Sequence, residues 1–159
     1  MGRRYYAKNG EADRWVQEHA AWQGDECLIW PYRRNEKGYP VAGGHRRMHR
    51  EMCELANGAP PTPKHEAAHS CGNGSAGCIN PRHLSWKTHA GNMADMVEHG
   101  HSNRGTKNPM AKLTEDAVRE IRSAPRQAYG HARAMAAKYG VSKDLVVMIR
   151  RGERWGWVE

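Results

Sequence analysis

The stretch Ala67-Ala68-His69-Ser70-Cys71-Gly72-Asn73-Gly74-Ser75-Ala76-Gly77-Cys78-Ile79-Asn80-Pro81-Arg82-His83-Leu84-Ser85-Trp86-Lys87-Thr88-His89-Ala90-Gly91-Asn92-Met93 decides how this chain is read. Two chemistries are interleaved in it. Cys71, Cys78 and His83 form a Cys-x6-Cys-x4-His set on a glycine-rich loop, and thiolates with an imidazole suit tetrahedral zinc. A closed structural site needs a fourth ligand, for which Cys27 and Cys53 are the candidates. Cys53 falls among the apolar positions of a predicted helix, where a cysteine is a small buried hydrophobe. Cys27 opens a predicted strand and is the better candidate.

The second chemistry uses what the zinc leaves. His69 ends a short strand-like run just before the loop, and an imidazole with an ordinary pKa of about 6.5 is suited to general-base work at neutral pH. Asn92 lies one turn into a helix predicted to begin at the N-cap Thr88, with Met93, Met96 and Val97 on its packing face. A strand, loop, strand and helix in that order bring His69 and Asn92 to one spot. The neutral oxygen of Asn92 suits a hard divalent cation that keeps most of its waters and also binds phosphate. A general base facing a metal-bound phosphate is the apparatus of phosphodiester hydrolysis.

Upstream, Glu11 to Ala21 has Trp15, Val16 and Ala20 spaced for one helix face. Cys27 to Val41 is expected to form a two-stranded hairpin around Asn35 and Gly38. His49 to Asn57 returns to helical spacing and is ended by Asn57-Gly58 and then Pro60-Pro61. Downstream, the polar run from His101 to Pro109 has little apolar content and is read as a linker. Beyond it, Thr114 is an N-cap with Leu113 and Val118 at the positions of a hydrophobic staple. A second helix of about Ala132 to Tyr139 stops at Gly140, and a third starts at the N-cap Ser142 and runs to Gly152. Ala136, four before the turn glycine Gly140, lets two helices cross closely, as in a helix-turn-helix.

The chain has 159 residues, a net charge of +8, four Cys, ten His and no Phe. Its mean hydropathy of −0.92 is low for a chain with a large interior. Trp, Tyr, Met and Leu must supply the core. The longest apolar run, Leu145 to Ile149, is far short of the roughly 20 residues that cross a bilayer. No hydrophobic run follows the basic start, so no secretory signal is expected and the cysteines should stay reduced, which favours metal ligation over disulfides. The charge is uneven: residues 1–100 hold 13 basic and 11 acidic groups, a net of +2, whereas residues 101–159 hold 12 and 6, a net of +6. A basic tail on a near-neutral front half is the pattern of a nucleic-acid-binding module joined to something else. The expected organisation is an α+β domain over residues 1–100, a basic linker over 101–112 and an all-α module over 113–159.

From Cys27 to Gly100 the chain resembles the His-Me finger (HNH, ββα-metal) endonucleases, nearest to their zinc-stabilised homing-type branch. The likeness is carried by Cys27-x-x-Trp30, Lys37-Gly38-Tyr39, His49-Arg50, His69-x-Cys71, Cys78-x-Asn80-Pro81-x-His83-Leu84 and Thr88-x-x-x-Asn92-Met93. The tail is similar to the helix-turn-helix module that follows such nucleases.

The resemblance implies a ββα-metal fold in which His69 activates water for in-line attack. Asn92 would hold one Mg2+-like ion at the leaving 3′ oxygen, Asn80 would pin the loop, and an arginine, here Arg50, would sit near the scissile phosphate. It implies a zinc site of Cys27, Cys71, Cys78 and His83. Many relatives carry an acidic second metal ligand just before the catalytic histidine, where this chain has Ala68. The partner implied is double-stranded DNA, contacted by Lys107, Lys112, Ser142, Lys143, Arg150 and Arg151, with the third helix of the tail in the major groove and the linker along the backbone. A monomer would nick and a twofold dimer would cut both strands. No membrane role is expected, and the place implied is the cytoplasm or nucleoid of a bacterial or phage-infected cell. His65, His89 and His99 are expected to bridge or lie exposed, with His101 at the linker touching phosphate. The rival from another class is a non-catalytic zinc-stabilised DNA-binding regulator. An RNA-directed nuclease is a third reading that the tail disfavours.

Overall fold

The ligand-bearing loop is carried between two short antiparallel strands, β3 (Glu66–His69) and β4 (Leu84–Lys87), and β4 runs straight into helix α3 (His89–Glu98). We describe a computed structural model covering residues 6–123 and 130–159. The chain folds as two compact units, Met1–His101 and Ser102–Glu159. Among the described residues there are six α-helices and two two-stranded sheets, a mixed α+β chain. No helix among them is long and apolar enough to cross a membrane.

In the first unit, α1 (Glu11–His19) buries Ala12 and Val16 and ends two residues before the expected Ala21. The strands β1 (Val41–Ala42) and β2 (Arg46–Arg47) form the second small sheet and lead into α2 (Met48–Asn57). Helix α2 buries Met48, His49, Met52 and Cys53 and stops at Gly58. The core combines these with Val16, Trp30, Tyr32, Ile79 and Leu84. Trp30 is its keystone: it meets Trp15 and Tyr32 edge-on at 5.1 and 4.9 Å, and its Nε1–H donates to the Arg33 carbonyl at 3.0 Å, so the large ring is buried without an orphaned donor.

The hairpin expected over residues 27–41 does not form as a ladder. Ile29 instead bridges to Cys78, with the Trp30 amide donating to Gly77 O at 2.9 Å and the Ile79 amide to Leu28 O at 2.8 Å. The other limb keeps a single bridge, Arg34 to Pro40, around a turn in which Asn35 Oδ1 accepts from the amides of Lys37 and Tyr39. Pro31 and Pro40 have no N–H to extend a ladder, so the backbone of residues 28–30 pairs with the ligand loop. Gly38, at φ +84°, packs against that loop so closely that a Cβ would lie 1.8 Å from the Ser75 carbonyl oxygen.

The second unit packs α4 (Glu115–Ser123), α5 (His131–Tyr139) and α6 (Lys143–Arg150) around an aliphatic core of Leu113, Val118, Ile121, Val146, Ile149 and Val158. Thr114 Oγ1 accepts from the Ala117 amide at 3.2 Å, and both members of the staple, Leu113 and Val118, are buried. Helix α5 ends on left-handed Gly140, and three residues later α6 begins, capped by Ser142 Oγ accepting from the Leu145 amide at 3.1 Å. Helix α6 stops at Arg150, short of the expected Gly152. Residues 102–112, read from sequence as a linker, belong to this unit: Gly105 is buried, and the Glu115 carboxylate accepts from the Thr106 amide and hydroxyl.

Candidate functional site

The structure brings Cys27, Cys71, Cys78 and His83 together, with all four ligand atoms within 4.8 Å of one another. His83 Nδ1 lies 3.5 Å from Cys78 Sγ and 3.9 Å from Cys27 Sγ. Tetrahedral zinc places sulfur and imidazole nitrogen about 3.6 Å apart, so the cluster fits such an ion. The loop backbone is tied to the same point: the Asn73 amide donates to Cys71 Sγ at 3.4 Å and Asn73 Nδ2 to Cys27 Sγ at 3.3 Å. Burial pushes the Cys71 and Cys78 thiols up, so a bound cation is what would hold them as thiolates. Cys53 lies apart, fully buried in the α2 core beside Asn57.

His69 closes β3, its ring buried. Its Nε2 lies 3.0 Å from the Cys78 carbonyl oxygen. A carbonyl only accepts, so Nε2 carries the proton and Nδ1 keeps its lone pair. Burial holds the imidazole below its ordinary pKa, against the opposing hydrogen bond to Cys78, and the ring is neutral at neutral pH. Nδ1 faces Gly74: a Cβ there would lie 2.7 Å from His69 Nδ1 and 2.8 Å from Tyr39 Cε1.

His69 and Asn92 line one cleft of about 300 Å³, together with Glu66 and the cationic Lys37, Arg47 and Arg50. Asn92 is placed by α3, which starts at Thr88, whose Oγ1 accepts from the Gly91 amide at 3.2 Å. Lys87 of β4 holds Asp95 of α3 through both carboxylate oxygens at 2.7 Å, fixing the helix on the hairpin. Asn92 Nδ2 donates to Glu66 Oε2 at 2.6 Å. Arg50 lines the cleft with its guanidinium 4.7 Å above the Trp86 ring, donating to the His65 carbonyl at 2.8 Å.

Asn80 is fully buried and does not line the cleft: Nδ2 donates to Gly24 O at 2.8 Å and Glu26 O at 2.7 Å, while Oδ1 accepts from the Arg82 amide. It ties the loop to the segment that delivers Cys27. His65, His89 and His99 bridge to Thr62, Glu66 and the Ser70 carbonyl. In the second unit, Lys107, Lys112, Ser142, Lys143 and Arg151 are exposed and Arg150 is half-buried. Lys112 Nζ reaches the Gly140 carbonyl at 3.4 Å, and Arg151 pairs loosely with Glu153 at 3.8 Å.

Sequence reasoning passed over Glu66, Lys37 and Arg47 as cleft residues, and no local periodicity marks them. His49 is marked in the sequence only by the His49-Arg50 motif. His49 is buried with Nδ1 lacking a hydrogen-bond partner, its ring 5.5 Å from that of His69. Burial first, then the charges of His69, Arg47 and Arg50, push it down to about 3.

No family model and no solved structure matches the chain. Two proteins of Escherichia phage T7 are similar to it. Protein 2.8 is 33% identical over 135 residues, covering 82% of this chain and 85% of its own length. Protein 7.7 is 33% identical over 134 residues, covering 82% of this chain and 97% of its own.

Proposed function

We propose that this chain, which belongs to the family of the phage T7 proteins 2.8 and 7.7, is a metal-dependent DNA endonuclease of the ββα-metal type, site-specific or homing-like. The observation that carries the reading is His69: a buried imidazole with its proton held on Nε2 by Cys78 and Nδ1 free, in the same cleft as Asn92. The order β3, ligand loop, β4, α3 is the framework that reading requires.

In this mechanism His69 Nδ1 takes a proton from water, and the hydroxide attacks phosphorus in line with the bond to the 3′ oxygen. That bond breaks, and the 3′ oxygen leaves and takes a proton from solvent, giving 5′ phosphate and 3′ hydroxyl ends. Lys37, Arg47 and Arg50 line the cleft, and their charges would draw the phosphate into it. Asn92 Oδ1 would hold a Mg2+-like cation, which when bound offsets charge on the leaving oxygen. Cys27, Cys71, Cys78 and His83 would hold structural zinc, away from the reacting atoms.

The second unit is the proposed reader of duplex DNA. Supporting this are its charge of +6, the three-residue connection from α5 to α6, and the exposure of Lys143 and Arg151 at the two ends of α6. Plasmid nicking by zinc-loaded protein tests the whole reading. Cleavage is expected with Mg2+ and not with EDTA, and His69→Ala should abolish it while leaving DNA binding intact. Binding without cleavage under any divalent cation would return the protein to the regulator reading.

A further inference from the structure

Glu66 is the one carboxylate among the described residues that line the cleft, which Lys37, Arg47 and Arg50 otherwise border. Among the described residues it forms no ion pair with any of those three cations. Its Oε2 accepts from Asn92 Nδ2 at 2.6 Å, and its Oε1 lies 3.0 Å from His89 Nδ1. The contact is long-range. Glu66 opens β3 opposite Lys87 of β4, and α3 starts two residues after Lys87, so the hairpin carries Asn92 onto a residue 26 positions earlier.

A carboxylate can only accept hydrogen bonds, so Asn92 turns its NH2 toward Glu66 and keeps Oδ1 for another partner. Asn92 and His89 hold the Glu66 carboxyl below the usual range, so its charge is present at neutral pH. A hard divalent cation takes carboxylate and carboxamide oxygens together, and a single neutral amide oxygen offers it no charge in a cleft already rich in cations. Ala68, two residues along the strand, has no oxygen to give.

We propose that Glu66 and Asn92 together form the oxygen-donor pair of the cleft, the carboxylate supplying the charged ligand of the divalent cation beside Asn92 Oδ1. The inference rests on the endonuclease reading for the identity of the cation as a catalytic one, while its test needs no cleavage.

The experiment uses the zinc-loaded full chain without DNA and Mn2+ as the probe, read by loss of the aqueous Mn2+ electron paramagnetic signal. The wild type should bind Mn2+. Glu66→Gln, which removes the charge but keeps an oxygen for Asn92 Nδ2, should bind about tenfold more weakly or worse, with zinc content and melting unchanged. Equal affinity in the two proteins, or no Mn2+ binding by the wild type, overturns the proposal. A second measurement avoids substitution: substoichiometric Mn2+ should broaden the amide signals of Glu66 and Asn92 first, and broadening centred elsewhere overturns it. A chain that binds Mn2+ at Glu66 yet cuts no DNA keeps the site and removes the endonuclease reading. Cleavage by a Glu66→Gln protein with unchanged Mn2+ affinity removes this site alone.

Discussion

His69 donates from Nε2 to the carbonyl of Cys78, 3.0 Å away, while the Sγ of the same cysteine faces His83 at 3.5 Å. One residue therefore joins the candidate metal-ligand cluster to the proposed base. The thiol end organises the loop, and the carbonyl end fixes the tautomer of the imidazole. Backbone around Cys78 is held further by its bridge to Ile29 and by its amide donating to Asn73 O at 3.1 Å.

Metal removal should thus act on structure and chemistry together. Chelation, or Cys78→Ser, is expected to melt the first unit at much lower temperature, because structural zinc contributes on the order of 10 kcal/mol in small domains. The second unit has its own core of Leu113, Val118, Ile121, Val146 and Ile149 and should keep its transition. Calorimetry with and without chelator, alongside zinc content, checks this; a first unit that melts unchanged without zinc counts against a structural ion.

Gly74 has no room for a side chain. A methyl group there would press on His69 Nδ1 and Tyr39 Cε1, both under 3 Å from its Cβ position. Gly74→Ala should cost about 1–3 kcal/mol in stability by overpacking, and on the endonuclease reading it should lower activity as well, because it crowds the nitrogen proposed to meet water. The expected outcome is folded, zinc-bound protein with cleavage reduced at least about tenfold.

Acid should weaken the first unit through His49. Its folded pKa of about 3 lies below the ordinary value of about 6.5, so between these the unfolded chain binds a proton that the fold refuses. Stability is whole above the upper value and falls as pH drops toward the lower, by up to about 1.4 kcal/mol per pH unit. His69, lowered by burial, acts in the same direction. Melting curves from pH 7 to pH 4 should show this slope, and His49→Gln should flatten it.

Arg122 clamps the second unit. It donates to the carbonyls of Ile149 at 3.0 Å and Trp155 at 3.0 Å, and also to that of Val158, joining α4 to the end of α6 and to the final turn. Arg122→Met keeps the apolar stem but leaves these carbonyls unpaired. Chemical denaturation should show a loss of about 2–4 kcal/mol in that unit alone, and a negligible change would mean that water replaces the guanidinium.

Much of the local structure is legible in the sequence. Thr88, Thr114 and Ser142 are caps whose side chains bond their own helices within three residues, and Gly58 and Gly140 end helices by backbone conformation. The hairpin expected over residues 27–41 does not form a ladder, because alternation and a turn signal say nothing about which strand is the partner. The backbone there pairs with residues 77–79.

The sequence by itself determined the ligand types, the spacing of Cys71, Cys78 and His83, the capped start of α3 and the separation of a basic helical tail. Those depend on contacts within a few residues, where propensity and capping act. Tertiary structure decided that Cys27 meets the cluster and Cys53 does not, that Asn80 holds residues 24–26, and that Glu66 lies against Asn92. These pairs join residues 26 to 56 positions apart, and only the packing of hairpin, helix and loop around Trp30 and Ile79 brings such distant groups within bonding distance.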